Sequence, residues 1–133
     1  MTSLTSNSLL MMEKSMDFLW VKQAAHLDNI ANAETPGYKV KTVSFEEQFR
    51  SKLQNAQLTA RRTYTTPEKE YRKVIRETSW RVWDDEETMR MDENGGNVTE
   101  QALEAVRTAY QIQYVMQAIS SDMGTLRRAI GSS

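Results

Sequence analysis

The chain has 133 residues, of which 39% are hydrophobic and 26% charged, with five glycines, two prolines and no cysteine, a size that suits one ordinary domain. Its 17 Lys and Arg against 18 Asp and Glu leave a net charge of -1, far from the basic balance that phosphate backbones select, so no nucleic acid is expected as a partner. Zero cysteines exclude a disulfide framework, a thiolate zinc site, an iron–sulfur cluster and a cysteine nucleophile, and no cofactor is expected.

The longest apolar runs, Leu9 to Met12 and Phe18 to Val21, are four residues each, well short of the ~18 that a membrane helix needs. Direct membrane insertion is therefore not expected. Met1 to Ser8 carries no Lys or Arg and leads into no long apolar stretch, so no cleaved secretory signal is predicted. Export from the cytoplasm would take a signal-less route.

The first predicted element is a helix. Leu9, Met12, Met16, Trp20, Ala24, Leu27 and Ala31 recur in steps of 3, 4, 4, 4, 3 and 4, which puts an apolar stripe on one face and lets it drift as a stutter does. Ser8 is the expected N-cap. Pro36 disfavours helix at Thr35, so the helix should end near Asn32 to Glu34. Thr35-Pro36-Gly37-Tyr38 then places Pro second and Gly third, the chemistry of a type II turn.

The segment that follows differs in character. A short amphipathic piece near Phe45 to Leu58 gives way to a polar stretch through Arg61, Arg62 and Pro67, and mixed structure is expected. Lys73 to Trp83 is rich in β-forming types and partly alternating, which predicts a small hairpin or ribbon around residues 70 to 92. Asn94-Gly95-Gly96-Asn97 closes the segment with strong turn residues, and no internal repeat is present.

The last third carries the clearest pattern. Val98, Ala102, Ala105, Ala109, Ile112, Met116, Ile119, Met123, Leu126 and Ile130 alternate steps of 4 and 3 without a break, a coiled-coil seam on one helix over about residues 98 to 130. Asn97 or Thr99 can cap its start, Glu100 suits the helix dipole there, and Gly131 is a stop signal. Leu103, Val106, Tyr110, Tyr114 and Val115 lie off the seam. The apolar surface is thus wider than one partner helix covers, and further partners are implied.

Residues with catalytic or ligand-binding chemistry lack convergent company. His26 is the single histidine, inside the first helix, and is expected to be structural. Asp84-Asp85-Glu86-Glu87 has no neighbour that would set two carboxylates apart and reads as a solvated turn. Asp92 to Asn97 resembles a calcium loop only until Gly96 falls at the fifth ligand position and Leu103 at the twelfth. Arg61-Arg62 and Arg127-Arg128 are isolated basic pairs. On the first helix Glu13, Asp17 and Asp28 offset Lys14 and Lys22, so no basic face meets anionic lipid. No metal site and no enzymatic activity are expected.

One stretch is more specific. Leu27-Asp28-Asn29-Ile30-Ala31-Asn32-Ala33-Glu34-Thr35-Pro36-Gly37-Tyr38-Lys39 resembles the signature of the bacterial flagellar rod and hook proteins, Asn-Ile-Ala-Asn on a helix followed by Thr-Pro-Gly-Tyr. Phe45 and Phe49 after the turn, Gly95-Gly96-Asn97-Val98 leading into a C-terminal helix, and Tyr110, Tyr114 and Leu126-Arg127 on it are most similar to the proximal rod subunits, the FlgB type. The likeness covers roughly residues 8 to 50 and 94 to 131; residues 51 to 93 match only in position, and Trp80 and Trp83 do not map onto the family. A physical reason stands beside the motif: Asn29 and Asn32, three apart, are neighbours on the helix surface, where an amide near an apolar seam fixes register by bonding to an adjacent backbone or side chain.

The resemblance implies a mainly α fold, with long N- and C-terminal helices paired as an antiparallel coiled-coil hairpin and a small irregular or β-containing middle. One structural unit would then comprise residues 1–40 (axial helix and Thr-Pro-Gly turn), 41–97 (middle, partly β or disordered) and 98–133 (axial helix). It implies a structural subunit of the periplasmic rod of the flagellar basal body, exported through the flagellar type III apparatus. Its partners would be other rod subunits and the membrane-ring and adaptor proteins of the basal body. The interface residues would be Leu27, Asn29, Ile30, Asn32, Thr35, Pro36, Gly37 and Tyr38 together with Ala102, Ala105, Ala109, Ile112, Met116, Ile119, Met123, Leu126 and Ile130. The seam by itself is equally compatible with a cytoplasmic coiled-coil adaptor.

Overall fold

A computed structural model describes residues 6–84 and 94–131. Four helices dominate it: α1 (Asn7–Ala31), α2 (Glu46–Thr63), α3 (Pro67–Glu77) and α4 (Asn94–Gly131), with strands β1 (Lys41–Ser44) and β2 (Arg81–Asp84) forming one two-stranded sheet. Helix α1 starts two residues earlier than expected. Ser6 rather than Ser8 is its cap, extended at φ -68 and ψ 158, and its hydroxyl accepts from Leu9 N at 3.1 Å.

The helix stops at Asn32, inside the expected range, where the Asn32 amide side chain donates to Asp28 O at 2.9 Å and satisfies a terminal carbonyl. The turn then forms as its residue types require: Tyr38 N donates to Thr35 O at 3.2 Å, and Gly37 sits at φ 73. A Cβ at Gly37 would meet no atom within 4 Å, so Gly37→Ala should cost only the left-handed backbone term, about 1 kcal/mol, read as a small drop in the thermal midpoint.

The ribbon expected around residues 70 to 92 is replaced by helix over most of its described length. Pro67 begins α3 at a position where its missing N–H is harmless, Glu68 and Glu70 sit in the first turn and Arg76 in the last, all favourable to the dipole. Tyr71, Val74, Ile75 and Thr78 then fall on one inward face at helical spacing. The β-forming residue types there reflect burial rather than extension. Only Arg81–Asp84 is strand, and its partner is distant: Lys41 pairs with Asp84 and Ser44 with Arg81, antiparallel. Residues 85–92 of the expected ribbon lie outside the described residues.

Helix α2 extends the amphipathic piece as far as Thr63 and ends on Tyr64 in the left-handed conformation at φ 53. Its buried Phe49, Ala56 and Ala60, with half-buried Leu53, form the inward stripe. The core is Phe18, Leu19, Phe45, Phe49, Ile75 and Ile112. Phe18 and Phe45 rings stack at 4.9 Å and Phe45 and Phe49 at 5.0 Å, an offset that aromatic quadrupoles favour.

On both long helices the buried face coincides only in part with the one the hydropathy pattern selects. On α1 the buried residues are Phe18, Leu19, Ala25 and Asn29, while Trp20, Ala24, Leu27 and Ala31 of the predicted stripe are exposed. On α4 the inward series is Gln101, Ala105, Thr108, Ile112, Val115 and Ile119. Of the predicted seam, Ala105 and Ile112 are buried and Ile119 and Leu126 half-buried, but Ala102, Ala109, Met116, Met123 and Ile130 are exposed. Both series alternate steps of 4 and 3; Thr108 replaces Ala109 on the inward side although its hydroxyl finds no hydrogen-bond partner there, and the polar bonds from α1 go to Gln101. Helix α4 also begins at Asn94, so Asn97 and Thr99 are helical residues rather than caps.

Candidate assembly interface

The motif residues build a joint between helix, turn and strand, and Asn29 is its centre. Only 1% exposed, its amide uses every hydrogen-bonding position it has. Nδ2 donates to Lys41 O at 2.9 Å and to Gln101 Oε1 at 3.2 Å, while Oδ1 accepts from Lys41 N at 2.8 Å and from the Tyr38 hydroxyl at 3.2 Å. One side chain thereby ties α1 to the start of β1, to the turn and to α4. His26 joins the cluster: its Nδ1 lies 2.7 Å from the same Gln101 Oε1. Because that oxygen only accepts, Nδ1 carries the proton, and His26 serves the helix contact.

Asn32 and Thr35 complete the turn, the Thr35 hydroxyl donating to Asn32 Oδ1 at 3.3 Å. Leu27 and Pro36 remain exposed and Ile30 half-buried. The role of Asn29 was legible in the sequence as an amide beside an apolar seam. Gln101 was not, since a glutamine in a seam-adjacent position carries no signal until its partner is known.

A salt bridge staples the joint at its surface, Lys41 Nζ to Asp28 Oδ2 at 2.7 Å. The bond to the Asp28 carboxylate, and then its charge, raise the Lys41 pKa above the ordinary 10.5. Tyr38 is raised above 10.0 chiefly by burial, with Asp28 and Asp84 adding to the shift and Lys41 opposing it. Both groups hold their proton more tightly folded than unfolded, so the stabilisation is complete below these ordinary values and is lost as pH rises through the folded ones. A thermal midpoint titrated across pH 9 to 12 should therefore fall in its upper half. Asp28→Asn should remove the lysine share of that fall and Tyr38→Phe the tyrosine share.

Away from the joint, both long helices present apolar side chains to solvent. On α1 these are Trp20 and Leu27; on α4 they are Leu103, Val106, Tyr110 and Tyr114, with exposures from 53% at Leu27 to 75% at Tyr114. Between α1, α2 and α4 an open groove of about 910 Å³ is lined by Phe18, Phe45, Phe49, Tyr110, Tyr114 and Gln111, among others. Exposed apolar side chains and an open apolar groove are the kind of surface on which proteins make contacts with other molecules.

Among the described residues, no group of three or more His, Cys, Asp or Glu side chains could hold a metal ion, and no helix is long and apolar enough to cross a membrane. Of the acidic run only Asp84 is described; Asp85, Glu86 and Glu87, and Asp92 and Glu93 of the rejected calcium loop, lie outside the described residues. Arg61, Arg62, Arg127 and Arg128 are exposed at separate helix ends, Arg61 and Arg62 on α2 and Arg127 and Arg128 on α4. No protein-family model matches the chain, and neither the curated proteins nor the solved structures yield a match.

Proposed function

We propose that this chain is a structural subunit of the proximal rod of the bacterial flagellar basal body, working by packing rather than by catalysis. The observation that carries the reading is the uncovered apolar surface on both long helices, at Trp20 and Leu27 on α1 and at Leu103, Val106, Tyr110 and Tyr114 on α4. A chain that works alone gains nothing from such faces, whereas a subunit needs them for its neighbours. The Asn29 joint supports it further, because Asn29 and Tyr38, which bond to each other in it, belong to the Asn-Ile-Ala-Asn and Thr-Pro-Gly-Tyr signature that resembles rod and hook proteins.

In this reading α1 and α4 act as an antiparallel coiled-coil hairpin, and the exposed half of the seam, Ala102, Ala109, Met116 and Met123, faces adjacent subunits in the periplasmic rod. The partners are further rod subunits, the membrane ring and its adaptor protein, after export through the flagellar type III apparatus. Contacts between unlike surfaces of successive subunits build open helical stacks, which is the geometry a drive shaft requires.

Cell fractionation tests the proposal. The chain should copurify with basal bodies that withstand detergent extraction of the envelope. Recovery wholly in the cytosolic fraction of motile cells would refute it and favour the coiled-coil adaptor.

A further inference from the structure

Helix α1 sorts its charges by face. Lys14 Nζ donates to Thr78 O at 2.8 Å and stands 5.9 Å from the Trp80 ring centroid, and Lys22 Nζ lies 5.9 Å from that of Phe18. Both cations are thus drawn toward aromatic partners of the same molecule. Glu13 and Asp17 remain exposed, seven and three residues before exposed Trp20 and so on its face. The outer side of α1 is an apolar ridge of Trp20, Ala24 and Leu27 with an acidic edge. Trp20 is 56% exposed and carries an indole N–H donor.

The groove between α1, α2 and α4 has the opposite character. Its walls are aromatic, and Arg50 and Arg107, both exposed, stand on its margin, Arg107 already paired with Glu104 on its own helix. Gln111 lines it as well, with a buried Oε1 that has no hydrogen-bond partner. A buried acceptor without a donor is unfavourable, and an occupant that brings a donor relieves it.

Building on the rod-subunit reading, we propose that the groove of one copy receives the Trp20 ridge of a second copy of this chain. The indole fills the aromatic space and offers its N–H to Gln111 Oε1, while the acidic edge of Asp17 and Glu13 meets Arg50 at the margin. An amphipathic helix laid into an apolar groove is a recurring mode of recognition, and a tryptophan anchored in a desolvated pocket dominates such contacts. Ridge and groove are different surfaces, so the contact is heterologous, and each added copy presents a fresh groove to the next.

The absence of native cysteine makes the test direct. Chains carrying Ala24→Cys on the ridge are mixed with chains carrying Gln54→Cys on the groove margin and oxidised at tens of micromolar. The mixed disulfide should exceed both homodimers, and adding Trp20→Ala to the ridge chain should lower its yield at least about tenfold. Predominant homodimers, no cross-link, or a yield indifferent to Trp20→Ala would overturn the contact. Cross-linking by a chain that never copurifies with basal bodies would defeat the rod reading and leave the contact standing; copurification without the mixed cross-link would do the reverse.

Discussion

Asn29→Ala is expected to lower folding stability by about 3 kcal/mol, a large effect for a polar substitution. The variant leaves Lys41 N, Lys41 O, the Tyr38 hydroxyl and Gln101 Oε1 each short of a partner at a site that water barely reaches. Hydrogen bonds to solvent cannot replace those lost unless the turn lifts off α1. Asn29→Asp keeps the shape but places a carboxylate oxygen against Lys41 O and Gln101 Oε1, both acceptors, so it should be no milder. Asn32→Ala, which loses the capping bond to Asp28 O and the exposed bond from the Thr35 hydroxyl, should cost only about 1 kcal/mol. Urea midpoints at constant slope distinguish the three. An Asn29→Ala midpoint equal to that of the parent would mean that the joint does not bind helix to turn.

The second large effect separates assembly from folding. Met116→Asp and Met123→Asp alter exposed seam positions, and each should change the stability of the isolated chain by less than about 0.5 kcal/mol. In assembly the same carboxylate would enter an apolar contact without a counter-charge, which is prohibitive. Cells whose sole copy carries either change should lose motility while making normal amounts of folded protein. Ile112→Asp is also expected to abolish motility, but for another reason: Ile112 lies in the core beside Phe18 and Phe49, and a buried carboxylate there unfolds the chain itself. Circular dichroism with a swimming assay tells the routes apart. Normal swimming with Met116→Asp and Met123→Asp together would remove the exposed seam from the assembly argument.

Legibility in the sequence followed the range of the interactions. The turn at Thr35 to Tyr38 was readable because Pro36 and Gly37 restrict their own backbone, and the stop near Asn32 because Pro36 limits Thr35. The long C-terminal helix was readable because its apolar residues repeat over many turns. The segment from Lys73 to Trp83 misled, since Val74 and Ile75 suit a strand and a buried helix face equally, and Pro67 three residues after Tyr64 was the better guide to where that helix begins.

What the sequence by itself determined is the two long terminal helices, the turn after the first and the amide beside it, each set by local stereochemistry or by a periodicity carried within one element. Which face each long helix buries was decided only by the tertiary structure. Met116 is more apolar than Thr108, yet Thr108 is 0% exposed and Met116 faces solvent, because Gln101, Thr108 and Ile112 share the side of α4 that meets α1. The pairing of Lys41–Ser44 with Arg81–Asp84 was likewise settled by α2 and α3 folding between them. Burial is a property of two surfaces meeting, and a one-dimensional pattern describes each surface without naming its partner.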